Sequence, residues 1–85
     1  MKTLKNKTEE ELKQIFCPGK TFYRGPLNKY HVVNYTYDGD IELIIVKSWN
    51  KWKKYWCYET YEWDTFYRVD IRFNYIQITK PKMPK

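Results

Sequence analysis

The segment YHVVNYTYDGDIELIIVKSW, residues 30–49, has two runs of β-branched and aromatic residues on either side of Asp38-Gly39-Asp40. Such runs around an Asp-Gly turn predict a β-hairpin. Two registers compete, with a three-residue or a two-residue loop. The three-residue loop is preferred because it separates apolar from polar residues more cleanly. Its apolar face contains Val33, Tyr35, Tyr37, Ile41, Leu43 and Ile45, and its polar face contains Asn34, Thr36, Glu42 and Ser48.

A second hairpin is predicted from residues 53–61 and 66–78, joined by the turn 62–65. Pairing Tyr61 with Phe66 would place Glu59 opposite Arg68, a favourable cross-strand charge pair. Strict alternation then predicts a core face of Trp56, Tyr58, Tyr67, Val69, Ile71 and Phe73. The opposite face, expected to meet water, contains Tyr55, Cys57, Glu59, Tyr61, Phe66, Arg68, Asp70 and Arg72.

The chain before these hairpins predicts a short helix over residues 8–17. Thr8 and Glu11 have the spacing of a capping box, and Cys17-Pro18-Gly19 ends the helical pattern. The prediction is one α+β domain, mostly β, over residues 1–85. A flexible basic segment (1–7) and the helix precede an antiparallel sheet (20–79) and a disordered tail (80–85). About five strands would form a curled sheet or a small open barrel, which resembles SH3-like barrels in shape alone.

Aromatic residues make up 20% of the 85 residues, and the formal net charge is +6. A small domain cannot bury so many large rings in one core, so some are expected to form a contact surface. The positive charge favours phosphate, acidic proteins or anionic membranes as partners. The size of the chain and its lack of a catalytic residue set argue against an enzyme.

The water-facing side of the second hairpin is the first candidate site. There Tyr55, Tyr61 and Phe66 would stack on a ligand, and Arg68 and Arg72 would meet its phosphates. The alternative is that the curled sheet or the helix covers this face, so that its rings form a second small core.

The turn between the hairpins is the second candidate site. It contains Trp52 among Lys51, Lys53 and Lys54, a pairing of indole and ammonium groups that suits an anionic ligand. Trp49 is expected in the core and Trp52 on the surface. The alternative is that the two indoles close the end of the barrel and the lysines are only solvated.

The remaining motifs predict no cofactor and no metal. Gly19-Lys20-Thr21 lacks the upstream glycine of a phosphate-binding loop, and Asp38-Gly39-Asp40 lacks the later ligands of a calcium loop. Cys17 and Cys57 are expected to be reduced thiols. With no secretory signal and no long apolar run, the expected location is cytoplasmic, without membrane binding.

These observations predict a small non-catalytic binding protein, with a phage or another mobile element as its expected origin. The leading hypothesis is binding of nucleic acid or a nucleotide by ring stacking and Lys/Arg–phosphate contacts. The alternative is a protein–protein module, such as an inhibitor or adaptor that binds a host protein through Trp, Tyr and Arg. A homodimer through an edge strand is compatible with either.

Overall fold

The computed structural model describes residue 4 and residues 7–25, 28–73 and 75–79. The predicted flexible N-terminus therefore lies largely outside the described residues, and the predicted tail (80–85) lies wholly outside them. The elements in chain order are α1 (Glu9–Ile15), β1 (Thr21–Tyr23), β2 (Lys29–Asp38), β3 (Ile41–Asn50), β4 (Tyr55–Glu62), α2 (Trp63–Thr65) and the π-helical segment Phe66–Ile71.

The four strands form one antiparallel sheet in the order β1-β2-β3-β4. This confirms a mostly-β α+β fold with an N-terminal helix. The sheet is unclosed, because β1 and β4 lie at its two edges and do not pair with each other. Neither a fifth strand nor an SH3-like barrel is found in the described part of the chain.

The preferred register of the first hairpin is wrong. Asp38 pairs with Ile41, which leaves a two-residue loop of Gly39 and Asp40. Gly39 has φ 62°, a left-handed conformation that suits glycine as the first loop residue. A bulge between Val32 and Asn34 also shifts the alternation along β2. The core face of the hairpin is consequently formed by Val32, Tyr35, Ile44 and Val46.

The predicted N-terminal helix is confirmed, and its first turn has the expected capping box. The Thr8 hydroxyl accepts a hydrogen bond from the Glu11 amide at 3.2 Å, and the Glu11 carboxylate accepts one from the Thr8 amide at 3.0 Å. Leu12 and Phe16 are buried against the sheet. The Lys13 ammonium also donates to the Glu42 carboxylate at 2.6 Å, which ties the helix to β3.

The predicted strand from residue 66 is wrong, because residues 63–71 are helical. Arg68 therefore does not face Glu59 across a hairpin. Its guanidinium instead donates to Asp64 one helical turn earlier, at 2.7 Å. Helical spacing turns Trp63, Phe66 and Ile71 toward the sheet, where all three are buried.

Three phenyl rings lie at the centre of the core. Phe16 of α1, Phe22 of β1 and Phe66 of the π-helical segment meet edge to face, with ring centroids 5.4–5.7 Å apart. The core face predicted for the second hairpin is thus mostly wrong. Ile71 is buried and Tyr67 packs against the core, but the other members are exposed: Trp56, Tyr58, Val69 and Phe73.

The molecule has two layers, with the helical elements on one face of the sheet. The buried strand residues Phe22, Val32, Ile44 and Val46 all point toward those elements. Residues that alternate with them point to the other face, here called the outer face, and none of those in the described strands is buried. The described part of the chain therefore leaves the outer face uncovered.

Candidate functional site

Aromatic and basic side chains gather on the outer face of β2, β3 and β4. Trp49 pairs with Trp56, Lys47 pairs with Tyr58, and Lys47 also pairs with His31 on its other side. Residues directly opposite each other in antiparallel strands point to the same face. These five residues are called the outer patch: His31, Lys47, Trp49, Trp56 and Tyr58.

Trp56 is the centre of the outer patch. Its ring meets Trp49 edge to face with centroids 5.2 Å apart, and it meets His31 in the same manner at 5.4 Å. The Lys47 ammonium lies 4.5 Å from the centroid of the Trp56 ring, within the range of a cation–π contact. Three strands therefore contribute to one contiguous group of side chains.

The rings of the outer patch remain accessible despite these contacts. Trp49 is 49% exposed, Trp56 is 40% exposed and Tyr58 is 61% exposed. Exposed contiguous apolar groups with polar neighbours commonly mark interaction sites. The expectation that Trp49 lies in the core is wrong, because its position in β3 points it away from the helices.

The charges of the outer patch are positive. Lys47 is within it, and Lys29 lies beside it at the start of β2. The acidic residue Glu62 pairs with Leu43 at the far end of the hairpin. Burial, followed by the charges of Lys29 and Lys47, lowers the pKa of His31 below its ordinary value, so this ring is neutral at pH 7.

The turn after β3 extends the outer patch along the chain. The Asn50 side-chain oxygen accepts hydrogen bonds from the amides of Trp52 and Lys53 at 3.1 and 3.0 Å, which fixes the turn. Trp52 is 86% exposed, as predicted, and the Lys51 ammonium lies 5.9 Å from its ring centroid. Lys53 and Lys54 are exposed too. This predicted group lies together in the turn, which joins the ends of β3 and β4 that carry Trp49 and Trp56.

The other predicted site residues are dispersed. Tyr55 is exposed, but its pairing with Asn50 places it on the helix side of the sheet. Tyr61 is half-buried, and the Arg24 guanidinium lies 5.2 Å from its ring centroid. Burial, together with a hydrogen bond to Glu59, raises the pKa of Tyr61. Tyr61 thus serves internal packing.

The prediction that Phe66 stacks on a ligand is wrong, because this ring is fully buried in the core. Arg68 and Arg72 are exposed on the helix side. They line an open groove of about 510 Å³ together with Leu4, Lys7, Leu12, Tyr67, Ile71 and Phe73. Arg68 is already paired with Asp64 there, so the groove offers less free positive charge than the turn at residues 51–54.

The outer patch is not predicted from the sequence, because alternation in the predicted second hairpin places Trp56 and Tyr58 in the core. That error followed from pairing β4 with the segment after it. A useful signal was nevertheless present: Lys47 and Trp49 alternate with the buried Ile44, Val46 pattern of β3. A lysine directly after a buried apolar residue marks the solvent side of a strand, because successive side chains point to opposite faces.

No family model, curated protein or solved structure matches the chain. In the described part of the chain, no group of His, Cys, Asp and Glu has the arrangement of a metal site. Nor does any described helix have the length and apolar character needed to cross a membrane.

Proposed function

We propose that this protein binds single-stranded nucleic acid on the outer patch and the adjoining basic turn. The observation that carries the proposal is the exposed Trp56 ring, which has Trp49 and His31 at its sides and the Lys47 ammonium 4.5 Å from its centre. Bases would stack on the rings of the patch, and the lysines would contact the phosphates.

The contact between Lys47 and Trp56 does not block a base from the indole. An exposed cation–π contact is worth about 0.5–1 kcal/mol. Stacking of a base on an aromatic side chain is worth about 1–3 kcal/mol. A base can therefore displace the ammonium from the ring, and the long Lys47 side chain then reaches a neighbouring phosphate.

The distribution of charge favours a polymeric anion over an isolated nucleotide. Cations extend from Lys47 in β3 into the turn, where Lys51, Lys53 and Lys54 surround the exposed Trp52. Several phosphates in succession can satisfy such a row, and release of their counterions drives association. A single strand fits better than a duplex, because its base faces are free to stack.

Fluorescence anisotropy with labelled single-stranded DNA and RNA oligonucleotides tests the proposal. We expect the logarithm of the binding constant to fall with the logarithm of salt concentration by roughly 0.7 per phosphate contact. Trp56→Ala and Tyr58→Ala should each weaken binding about fivefold to 150-fold, the equivalent of one lost stacking contact.

Matched controls separate the outer patch from general effects of charge and aromatic content. Tyr37 is as exposed as Tyr58, at 66% against 61%, but lies on the helix side of the sheet, so Tyr37→Ala should leave binding unchanged. Lys47→Gln should weaken binding more than Lys20→Gln, since Lys20 lies on the helix side near α1. Equal effects within either pair, or binding insensitive to salt, would contradict the proposal.

A further inference from the structure

The two edges of the sheet are protected very differently. β1 has only three residues, and Tyr23 exchanges backbone hydrogen bonds with Gln77 at 2.7 and 3.0 Å on its free side. β4 has eight residues, and within the described part of the chain β3 is the only strand that pairs with it. An edge strand of that length presents a row of backbone donors and acceptors to another chain.

β4 lacks most of the features that normally prevent such pairing. It contains no proline, it is not short, and its pairing with β3 runs from Glu62 to Tyr55 without a bulge. It is regular and mostly exposed. The edge is therefore geometrically ready to accept another strand.

The charges along this edge favour a second copy of the same chain. Lys53 and Lys54 immediately precede β4, whereas Glu59 and Glu62 lie in its second half. Antiparallel pairing places the basic end of one strand beside the acidic end of the other, and it does so twice in a symmetric pair. We infer that two copies associate through β4 to form one continuous eight-stranded sheet.

The faces on which the β4 residues lie, together with their charges, select a register for this pairing. If both outer faces lie on the same side of the joined sheet, residues opposite each other must share a face. Placing Tyr58 opposite the partner's Tyr58 meets this condition. It also brings Lys54, the turn residue directly before β4, close to the partner's Glu62 at the end of that strand. Trp56 then lies opposite the partner's Thr60. The two outer patches become one surface, a consequence for nucleic acid that rests on the proposed function, although the pairing itself does not.

Sedimentation velocity of the free protein over a range of concentrations tests the association. We expect a reversible monomer–dimer equilibrium. Lys54→Glu or Glu62→Lys should each shift it toward monomer, because like charges then face each other. The double variant Lys54→Glu/Glu62→Lys should restore dimer, and Lys20→Glu, remote from the edge, should have no effect. A protein that stays monomeric, or a double variant that fails to recover, would overturn the inference.

Disulfide trapping tests the register in a Cys17→Ser/Cys57→Ser background. Opposite residues in antiparallel strands have Cα atoms about 4.5–5.5 Å apart, within the range that a disulfide spans. Tyr58→Cys should therefore give a covalent dimer on oxidation. Thr60→Cys should not, because its counterpart would lie about 13 Å away, four residues along the strand. Preferential crosslinking through Thr60→Cys would refute this register. Neither experiment contains nucleic acid, so their failure is distinct from failure of the proposed function.

Discussion

Phe66 and Phe73 lie in opposite environments, one in the core and the other at the surface. Phe66 is fully buried between Phe16 and Phe22, whereas Phe73 is 62% exposed. We expect Phe66→Ala to lower the free energy of unfolding by about 3–5 kcal/mol, because it leaves a cavity in the core. Phe73→Ala should cost no more than about 0.5 kcal/mol.

Urea denaturation of the two variants measures this difference directly. If residues 66–78 were instead a strand with Phe73 in the core, Phe73→Ala would be the more damaging substitution. That order of stabilities would contradict the helical assignment of residues 63–71.

His31 gives the outer patch a dependence on pH. Its pKa is lowered by burial and by Lys29 and Lys47, so the unfolded chain binds a proton more readily than the folded one. The contribution of His31 to the free energy of unfolding is fully present above the ordinary pKa of about 6.5. It is lost as the pH falls through the lower pKa that His31 has in the folded state.

A bound polyanion should raise the pKa of His31, since phosphates favour the imidazolium form. We expect affinity for a single strand to rise as pH falls below about 6.5, and NMR titration should show a higher His31 pKa in the complex. His31→Gln should remove the part of the pH dependence that this residue causes. An unchanged His31 pKa on binding would argue against contact with the outer patch.

Short sequence motifs correctly predicted the two elements that local interactions stabilise. The capping box at Thr8 and Glu11 gave α1, and the Asp-Gly turn gave the β2–β3 hairpin. The hairpin register was not predictable by simple alternation, because the bulge after Val32 exchanges the faces within β2.

The helical segment after β4 escaped prediction because its composition favours a strand. Tyr67, Val69, Ile71 and Phe73 alternate with polar residues, and aromatic and β-branched residues prefer strands. Packing of Phe66 and Ile71 into the core outweighs that preference. The same error placed Trp56 and Tyr58 in the core. Prediction of the site therefore depended on whether the segment after β4 is a strand or a helix.

The capping box also predicts how firmly α1 is held. Thr8→Ala removes the hydroxyl that accepts the Glu11 amide, and we expect a loss of about 1 kcal/mol in the free energy of unfolding. Thr8→Ser keeps the acceptor and should lose much less. Thermal or urea unfolding compares the two, and equal losses would mean that the cap does not stabilise the helix.

On the scale of the whole molecule, the sheet separates two tasks. Its inner face packs on α1, α2 and the π-helical segment, where Phe16, Phe22 and Phe66 form the core. Its outer face carries indole rings and lysines that are not part of the core. Aromatic residues were rightly expected in excess of what one core can hold, but the particular rings left exposed depend on the sidedness of β4.

Ultraviolet crosslinking of a bound oligonucleotide, followed by mass spectrometry of the tryptic peptides, locates the residues that contact the nucleic acid. If the strand binds the outer patch, crosslinks should form at Trp49, Trp56 and Tyr58, with Trp52 as a further contact in the basic turn. Phe73 and Tyr75, which are equally exposed, serve as internal controls and should remain unmodified. Crosslinks confined to Tyr67 and Phe73 in the helix-side groove, or none at the outer patch, would show that the strand does not bind the outer patch.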